Sequence, residues 1–274
     1  MTDPNKGAKI TLYWLAQSRS HRILWLLEAL HLTYELKIYH RGADKLAPRE
    51  LKEIHPLGKS PVLTVQPAAA AVSGPEGDDG NSKSNKPIVL AESGLIIEYL
   101  LDHYGANADA PLIPERYAAA AEAGAETVGG ETDSWLRYRY YMHYAEGSLM
   151  PFLVMQLVMD TVKNPPIPFF LKPLPRVVAG QVEKAFLNRN IAAHLDFLEE
   201  QLRTSPGGGP YLCGTALTAA DIMMSFPVIA MAGRLSMEGY PELSRYAELL
   251  QKEAGYVAAC RKIEEVDGKF EASL

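Results

Sequence analysis

The sequence predicts two domains, a mixed α/β domain at the N-terminus and an all-α domain at the C-terminus. Short β-prone segments alternate with amphipathic ones through residues 8–105. Beyond a linker near residues 105–114, strand patterns nearly vanish and helical spacing takes over. A chain of 274 residues is long enough for two such domains.

The N-terminal domain begins with a predicted β-α-β unit. Residues 9–14 (KITLYW) alternate between the two faces of a strand, and residues 34–39 form a second β-prone segment. Between them, residues 22–31 repeat leucine and isoleucine at helical spacing, which predicts an amphipathic helix. The connection is long enough for the two strands to run parallel.

The same domain continues with a helix, two strands and a helix. Residues 44–54 predict a short helix, and residues 60–65 lead into a third strand. A fourth strand at 88–90 precedes a helix over 92–104. The segment between the last two strands, about 66–87, is rich in Ala, Gly, Ser and Asp without periodicity, and we expect an exposed loop there.

The C-terminal domain, residues 115–270, is predicted to be entirely helical. Its helical segments cover residues 116–161, 174–203, 218–232 and 241–261. We expect the first segment to break or kink near residues 147–151, where a glycine and a proline stand close together. Five prolines between positions 165 and 175 predict an irregular connection.

Composition and charge exclude several classes of protein. The formal net charge is −6 without a long basic run, which argues against a nucleic-acid partner. No apolar run is long enough to span a membrane, although an amphipathic face leaves peripheral membrane association open. The two cysteines, Cys213 and Cys260, make neither a disulfide framework nor a metal-site spacing. We therefore expect no metal and a cytoplasmic location.

Pro61 is the first candidate functional residue, because it stands at the entrance to the third strand. A cis peptide bond before Pro61 would turn the backbone of Ser60 outward, where its N–H and C=O would pair with a peptide-like ligand. The structural alternative is a proline on an edge strand.

Glu92 and Ser93 stand at the start of the predicted helix over 92–104. A helix N-terminus favours a carboxylate through its free N–H groups and its dipole, and the Ser93 hydroxyl adds a donor. The Glu92 carboxylate suits an ammonium group, so the pair fits the α-amino-acid end of a ligand. Plain N-capping is the alternative role.

Ser18 lies just after the first strand and just before the first helix. A hydroxyl at this point would donate to a thiolate that the helix N-terminus also stabilises. Helix capping is the alternative role of Ser18, and Ser20 competes for it.

Two further sets of residues belong to the helical domain. Thr218 and Asp221 have the form of a capping box, with Asp in place of the usual Glu or Gln, and we assign them to folding. Tyr138, Tyr141 and Tyr144 recur at helical spacing and are candidates to line an apolar pocket with polar tips. Helix packing or a dimer contact is the alternative role of these tyrosines.

The order of these features resembles the glutathione transferase superfamily. The matching strings are residues 18–22 (SRSHR), 55–63 (HPLGKSPVL), 91–99 (AESGLIIEY) and 217–221 (LTAAD). The second and third strings, with residues 140–151, look most like the fungal branch related to the membrane-associated yeast enzyme. The resemblance implies a thioredoxin-like N-terminal domain that holds glutathione and an all-α domain that holds the second substrate.

The resemblance also implies a role for each matching residue. Ser18 would activate the thiol, Lys59 would meet the glycine carboxylate, and Ser60 would pair through its backbone with the cysteinyl unit. Glu92 and Ser93 would hold the γ-glutamyl end. Pro61 would keep a structural role, as the cis proline.

The remaining expectations concern the second substrate and the assembly. The tyrosines Tyr138, Tyr141 and Tyr144 would line the pocket for a small electrophile, and a homodimer is expected from the family. Tyr13 is the second candidate for thiol activation, because some classes use a tyrosine of the first strand. The alternatives to a detoxifying transferase are a non-catalytic regulatory or assembly module and a glutathione-dependent peroxidase or isomerase.

Overall fold

The computed structural model of the chain describes residues 3–68, 86–118 and 127–270. Most of the loop predicted over 66–87 lies outside the described residues. The chain divides into two compact units. The first comprises Met1–Leu112 together with Lys252–Ala272, and the second comprises Ile113–Gln251.

The first unit is built on a four-stranded mixed sheet. Its strands are β1 (Lys9–Leu15), β2 (Tyr34–Tyr39), β3 (Val62–Gln66) and β4 (Ile88–Ala91). The strand order is β2-β1-β3-β4. β1 and β2 run parallel, whereas β3 is antiparallel to both of its neighbours. This is the β-α-β-α-β-β-α order that the sequence predicts, and the predicted fold class is confirmed.

Three helices alternate with these strands along the chain. Helix α1 (Ser20–Ala29) follows β1, α2 (Leu51–Ile54) follows β2, and α3 (Ser93–Tyr104) follows β4. Helix α1 contributes the largest part of the core, since every residue from Ser20 to Leu27 is buried. Helix α2 is much shorter than the predicted segment 44–54, because only its last turn is helical.

The second unit is helical, as predicted. Its helices are α4 (Asp133–Tyr144), α5 (Met150–Lys163), α6 (Pro173–Val182), α7 (Asn188–Arg203), α8 (Ala219–Ala232) and α9 (Pro241–Leu250). The chain does not break near 147–151. Instead, a π-helical turn, Ala145–Leu149, joins α4 to α5. Pro151 is the second residue of α5, and because proline has no N–H to donate, a widened turn before it accommodates the missing bond.

Helix α8 is the centre of the second unit, because every residue from Ala219 to Met231 is buried. The capping box at its start is formed. Asp221 Oδ2 accepts hydrogen bonds from the backbone N–H of Thr218 at 2.8 Å and from the Thr218 hydroxyl at 2.7 Å.

The predicted helix over 241–261 is two helices, because the chain returns to the first unit after α9. Helix α10 (Ala254–Asp267) packs against α1, whereas the sequence-based division placed it in the helical domain. Gly255 permits this packing, since a Cβ on it would come within 2.5 Å of the Trp25 ring.

A buried imidazole lies between α1 and α10. The ring of His21 is 4.6 Å from that of Tyr256 and 4.5 Å from that of Phe270, measured between centroids. Its Nε2 lies 3.7 Å from Cys260 Sγ. Burial, assisted by the charge of Arg22, lowers the pKa of His21 to about 3, so the ring is neutral at physiological pH.

Candidate active site

The sheet register brings three chain segments to one edge of the first unit. Val62 at the start of β3 pairs with Tyr13 of β1 on one side and with Ala91 of β4 on the other. The dipeptide Ser60–Pro61, just before Val62, therefore lies beside Glu92–Ser93, which follows Ala91. The turn that leaves β1 starts at the same edge.

The Ser60–Pro61 peptide bond is cis. Pro61 is buried, Lys59 is exposed, and Ser60 is half-buried between them. The Ser60 hydroxyl donates a hydrogen bond to the backbone carbonyl of Tyr13 at 2.9 Å. This contact ties the entrance of β3 to the middle of β1.

Helix α3 begins at Ser93, which is only 3% exposed. Glu92 precedes it with a φ of 74°, a left-handed conformation that is uncommon for a residue with a Cβ. The Glu92 side chain is exposed. The first turn of α3, all of whose residues the structure describes, carries no acidic side chain. The end of the helix thus keeps its positive potential for an anion, with a carboxylate beside it.

Ser18 belongs to the short connection between β1 and α1 and is half-buried. Its Oγ accepts a hydrogen bond from the backbone N–H of Ser20 at 3.2 Å. It also lies 2.7 Å from the Ser20 hydroxyl oxygen, which in turn lies 2.5 Å from the Ser60 hydroxyl oxygen. Three serine hydroxyls are thus hydrogen-bonded in a row from Ser18 to Ser60.

Tyr13 contributes its backbone carbonyl to the site rather than its ring. Its ring is 8% exposed and packs with Leu15, Leu51 and Val62 in a hydrophobic cluster on one face of the sheet. Its carbonyl accepts the Ser60 hydroxyl, as described above.

Comparison with known proteins agrees with this architecture. The family models for the glutathione S-transferase N-terminal and C-terminal domains match residues 18–103 and 180–249. Glutathione S-transferase 1 of Saccharomyces cerevisiae is 33% identical over 95% of this chain and 98% of its own length. The chain belongs to the glutathione S-transferase family.

Solved structures show the same fold. A glutathione S-transferase from Actinobacillus pleuropneumoniae is 30% identical over 92% of both chains, with a TM-score of 0.60. A glutathione transferase homologue from Sulfitobacter, solved with bound glutathione, is 16% identical over 93% of this chain and 98% of its own, with a TM-score of 0.61. The prediction of a glutathione transferase, with glutathione as its co-substrate, is confirmed.

The three tyrosines predicted to line the transferase's second-substrate pocket are buried within the helical unit, with 2%, 0% and 4% of Tyr138, Tyr141 and Tyr144 exposed. The Tyr141 hydroxyl donates to Gln201 at 3.3 Å, and the Tyr144 hydroxyl lies 2.6 Å from His194 Nδ1. Burial raises the pKa of both phenols. Their pocket role stays a prediction.

Tyr140 lies on the same helix but is not among the residues predicted to line the pocket. It is 48% exposed and stacks on Tyr144 with the ring centroids 5.3 Å apart. A shared helix face selects Tyr138, Tyr141 and Tyr144, and this criterion omits Tyr140, whose ring is exposed to solvent.

Within residues 3–68, 86–118 and 127–270 of the transferase, no group of three or more metal-ligating side chains is positioned to hold a metal ion. In the same residues, no helix is both long and apolar enough to cross a membrane.

Proposed function

We propose that the protein conjugates the thiolate of glutathione to small apolar electrophiles, and that the Ser18 hydroxyl donates a hydrogen bond to that thiolate. The observation that carries the proposal is the position of Ser18 at the edge of the sheet where Ser60 and Ser93 also lie. The candidate donor to the thiolate and the candidate contacts of the cysteinyl and γ-glutamyl units thus lie at one edge of the sheet, which supports the proposal.

The proposed glutathione contacts follow the polarity of the site. The exposed Lys59 suits the glycine carboxylate, and the backbone at Ser60 suits the cysteinyl unit. The N-terminus of α3 with Ser93 suits the γ-glutamyl carboxylate, and the exposed Glu92 carboxylate suits the γ-glutamyl ammonium.

The energetic demand on Ser18 is modest. Lowering a thiol pKa from about 8.5 by about two units requires roughly 2.7 kcal/mol. One hydrogen bond to a charged group contributes about 1.5–3 kcal/mol. Tyr13 is the weaker candidate for this role, because its ring packs in the cluster with Leu15 and Val62.

The finer assignments belong to the same proposal. Tyr138, Tyr141 and Tyr144 would form the aromatic backing of the second-substrate pocket, with Tyr140 at its surface. We propose a homodimer that serves detoxification in the cytoplasm and belongs to the fungal branch related to the membrane-associated yeast enzyme. The 33% identity to the Saccharomyces cerevisiae relative supports the branch.

Peripheral membrane association is the alternative location. Exposed apolar side chains on α5 and α6, such as Val158, Leu174 and Val177, support it. Co-sedimentation with vesicles of neutral and of anionic lipid distinguishes the two locations.

Isothermal calorimetry of glutathione binding tests the pocket. We expect Ser93→Ala to weaken binding about tenfold, or about 1.4 kcal/mol. Ser134→Ala, at the first turn of α4, is the matched control and should bind as the wild type does. No binding by folded wild type would leave a non-catalytic module, and peroxide turnover without conjugation would indicate a peroxidase.

A further inference from the structure

Ser20 is a buried hydroxyl that links two residues of the proposed site. Its side chain is 0% exposed, and its oxygen lies 2.7 Å from Ser18 Oγ and 2.5 Å from Ser60 Oγ. The backbone N–H of Leu15 also donates to it at 3.4 Å. Because it is fully enclosed, Ser20 has no direct path to a ligand, and any influence on catalysis must pass through its neighbours.

The direction of the hydrogen bonds follows from counting protons. The Tyr13 carbonyl can only accept, so the single hydroxyl proton of Ser60 goes to it. Ser60 must then accept from Ser20, which uses the single proton of Ser20. At 2.7 Å, the bond between Ser18 and Ser20 requires Ser18 to be the donor. Without a ligand, the Ser18 proton is therefore committed to Ser20.

A thiolate beside Ser18 reverses this order. When the Ser18 hydroxyl turns to the sulfur, its oxygen is free to accept, and the Ser20 hydroxyl can turn from Ser60 to Ser18. The Ser60 hydroxyl then turns from the Tyr13 carbonyl to Ser20, because the 2.5 Å between the Ser20 and Ser60 oxygens requires a hydrogen between them. Three protons make three hydrogen bonds before and after, and three hydroxyl hydrogens rotate. A hydroxyl that accepts a hydrogen bond is also a stronger donor, because the bonds polarise one another.

We propose that Ser20 is a positioning residue that reverses its hydroxyl to donate to Ser18 when the glutathione thiolate forms. The inference rests on the proposed role of Ser18. Ser20 acts only through Ser18: its oxygen accepts the hydrogen bond of the Ser18 hydroxyl in the free site, and its hydroxyl strengthens Ser18 as a donor in the occupied site.

The test is the pH titration of the thiol of glutathione bound to the full chain, followed by the ultraviolet absorbance of the thiolate. We expect Ser18→Ala to raise the pKa of the bound thiol by about 1–2 units. Ser20→Ala should raise it by roughly 0.5 unit. In the Ser18→Ala background, Ser20→Ala should add nothing, because the group it acts through is gone.

Two further variants keep the result independent of folding. Ser20→Cys replaces the hydroxyl by a bulkier and weaker donor, so the pKa of the bound glutathione thiol should lie between those of wild type and Ser20→Ala. Ser225→Ala removes another fully buried serine hydroxyl, which donates to Ile222 O at 2.7 Å in α8, and should leave the thiol pKa unchanged.

The outcomes separate this inference from the proposed function. If Ser18→Ala leaves the thiol pKa unchanged, the proposed role of Ser18 is wrong, and so is the inference about Ser20 that depends on it. If Ser18→Ala raises the pKa but Ser20→Ala and Ser20→Cys do not, only the role of Ser20 is overturned. An equal effect of Ser20→Ala with and without Ser18 also overturns it, since Ser20 would then act by another route.

Discussion

The phenolic hydroxyl of Tyr246 donates a hydrogen bond to Oδ1 of Asp221 at 2.7 Å, which joins α9 to the first turn of α8. The same carboxylate accepts from Thr218 twice and from the backbone N–H of Leu212 at 3.1 Å. Burial raises the pKa of the Asp221 carboxyl, and these hydrogen bonds oppose that rise. One buried side chain thus satisfies donors from two helices and a loop.

Asp221→Ala should therefore cost far more stability than the loss of any one donor. Removing the carboxylate leaves several buried donors unpaired, and we expect about 3–4 kcal/mol in the free energy of unfolding. Tyr246→Phe removes one bond and should cost about 1–2 kcal/mol. Urea denaturation measures both. Equal losses in the two variants would contradict the view that Asp221 is the shared acceptor.

Acid should destabilise the protein through His21. The pKa of His21 in the folded state, about 3, lies below its unfolded value of about 6.5, so the unfolded chain binds the proton more tightly. The stability is fully present above about pH 6.5 and is lost as the pH falls toward about 3. Between pH 7.5 and pH 5, the expected loss is about 2 kcal/mol.

His21→Gln supplies the comparison for this prediction. The variant has no titrating ring, so its stability should fall by about 2 kcal/mol less than that of the wild type over the same interval. Urea denaturation at the two pH values measures the difference. Parallel losses in the two proteins would show that His21 is not the group that titrates.

We expect Glu92 to lower the stability of the fold through backbone strain and to strengthen glutathione binding through its carboxylate. A φ of 74° costs a residue with a Cβ about 1–3 kcal/mol, whereas glycine adopts it freely at a smaller entropic cost. We expect Glu92→Gly to stabilise the fold by about 1 kcal/mol and to weaken glutathione binding. Glu92→Ala should weaken binding without stabilising the fold, and a stabilised Ala variant would contradict the strain argument.

Replacing each of two helical glycines by alanine should change the stability of the protein in opposite directions. A Cβ at Gly255 would lie 2.5 Å from the ring of the fully buried Trp25, and Gly255→Ala should cost about 1–3 kcal/mol. A Cβ at Gly180 in α6 meets nothing within 4 Å, and Gly180→Ala should stabilise by about 0.5–1 kcal/mol. Thermal denaturation of both variants tests the pair; the same sign in both would refute the packing argument.

The strands could be predicted because their signal is local. The sequence predicts a strand over residues 34–39, which are the bounds of β2 in the structure, since β-prone side chains alone mark that segment. The contact of Ser20 with Ser60 spans forty positions and depends on sheet register and on where α1 begins, which no short pattern encodes. The separation of α9 from α10 likewise follows from the packing of Gly255 on Trp25.

The return of α10 to the first unit has a consequence for synthesis. A growing chain that has reached Leu112 still lacks Lys252–Ala272, and the 139 residues Ile113–Gln251 are made before that segment is available. At about 5–20 residues per second, the ribosome needs roughly 7–28 s for that stretch. During this interval the α1 surface around Trp25 is without its covering helix, so the nascent protein presents to the cellular folding machinery a face that the finished enzyme conceals.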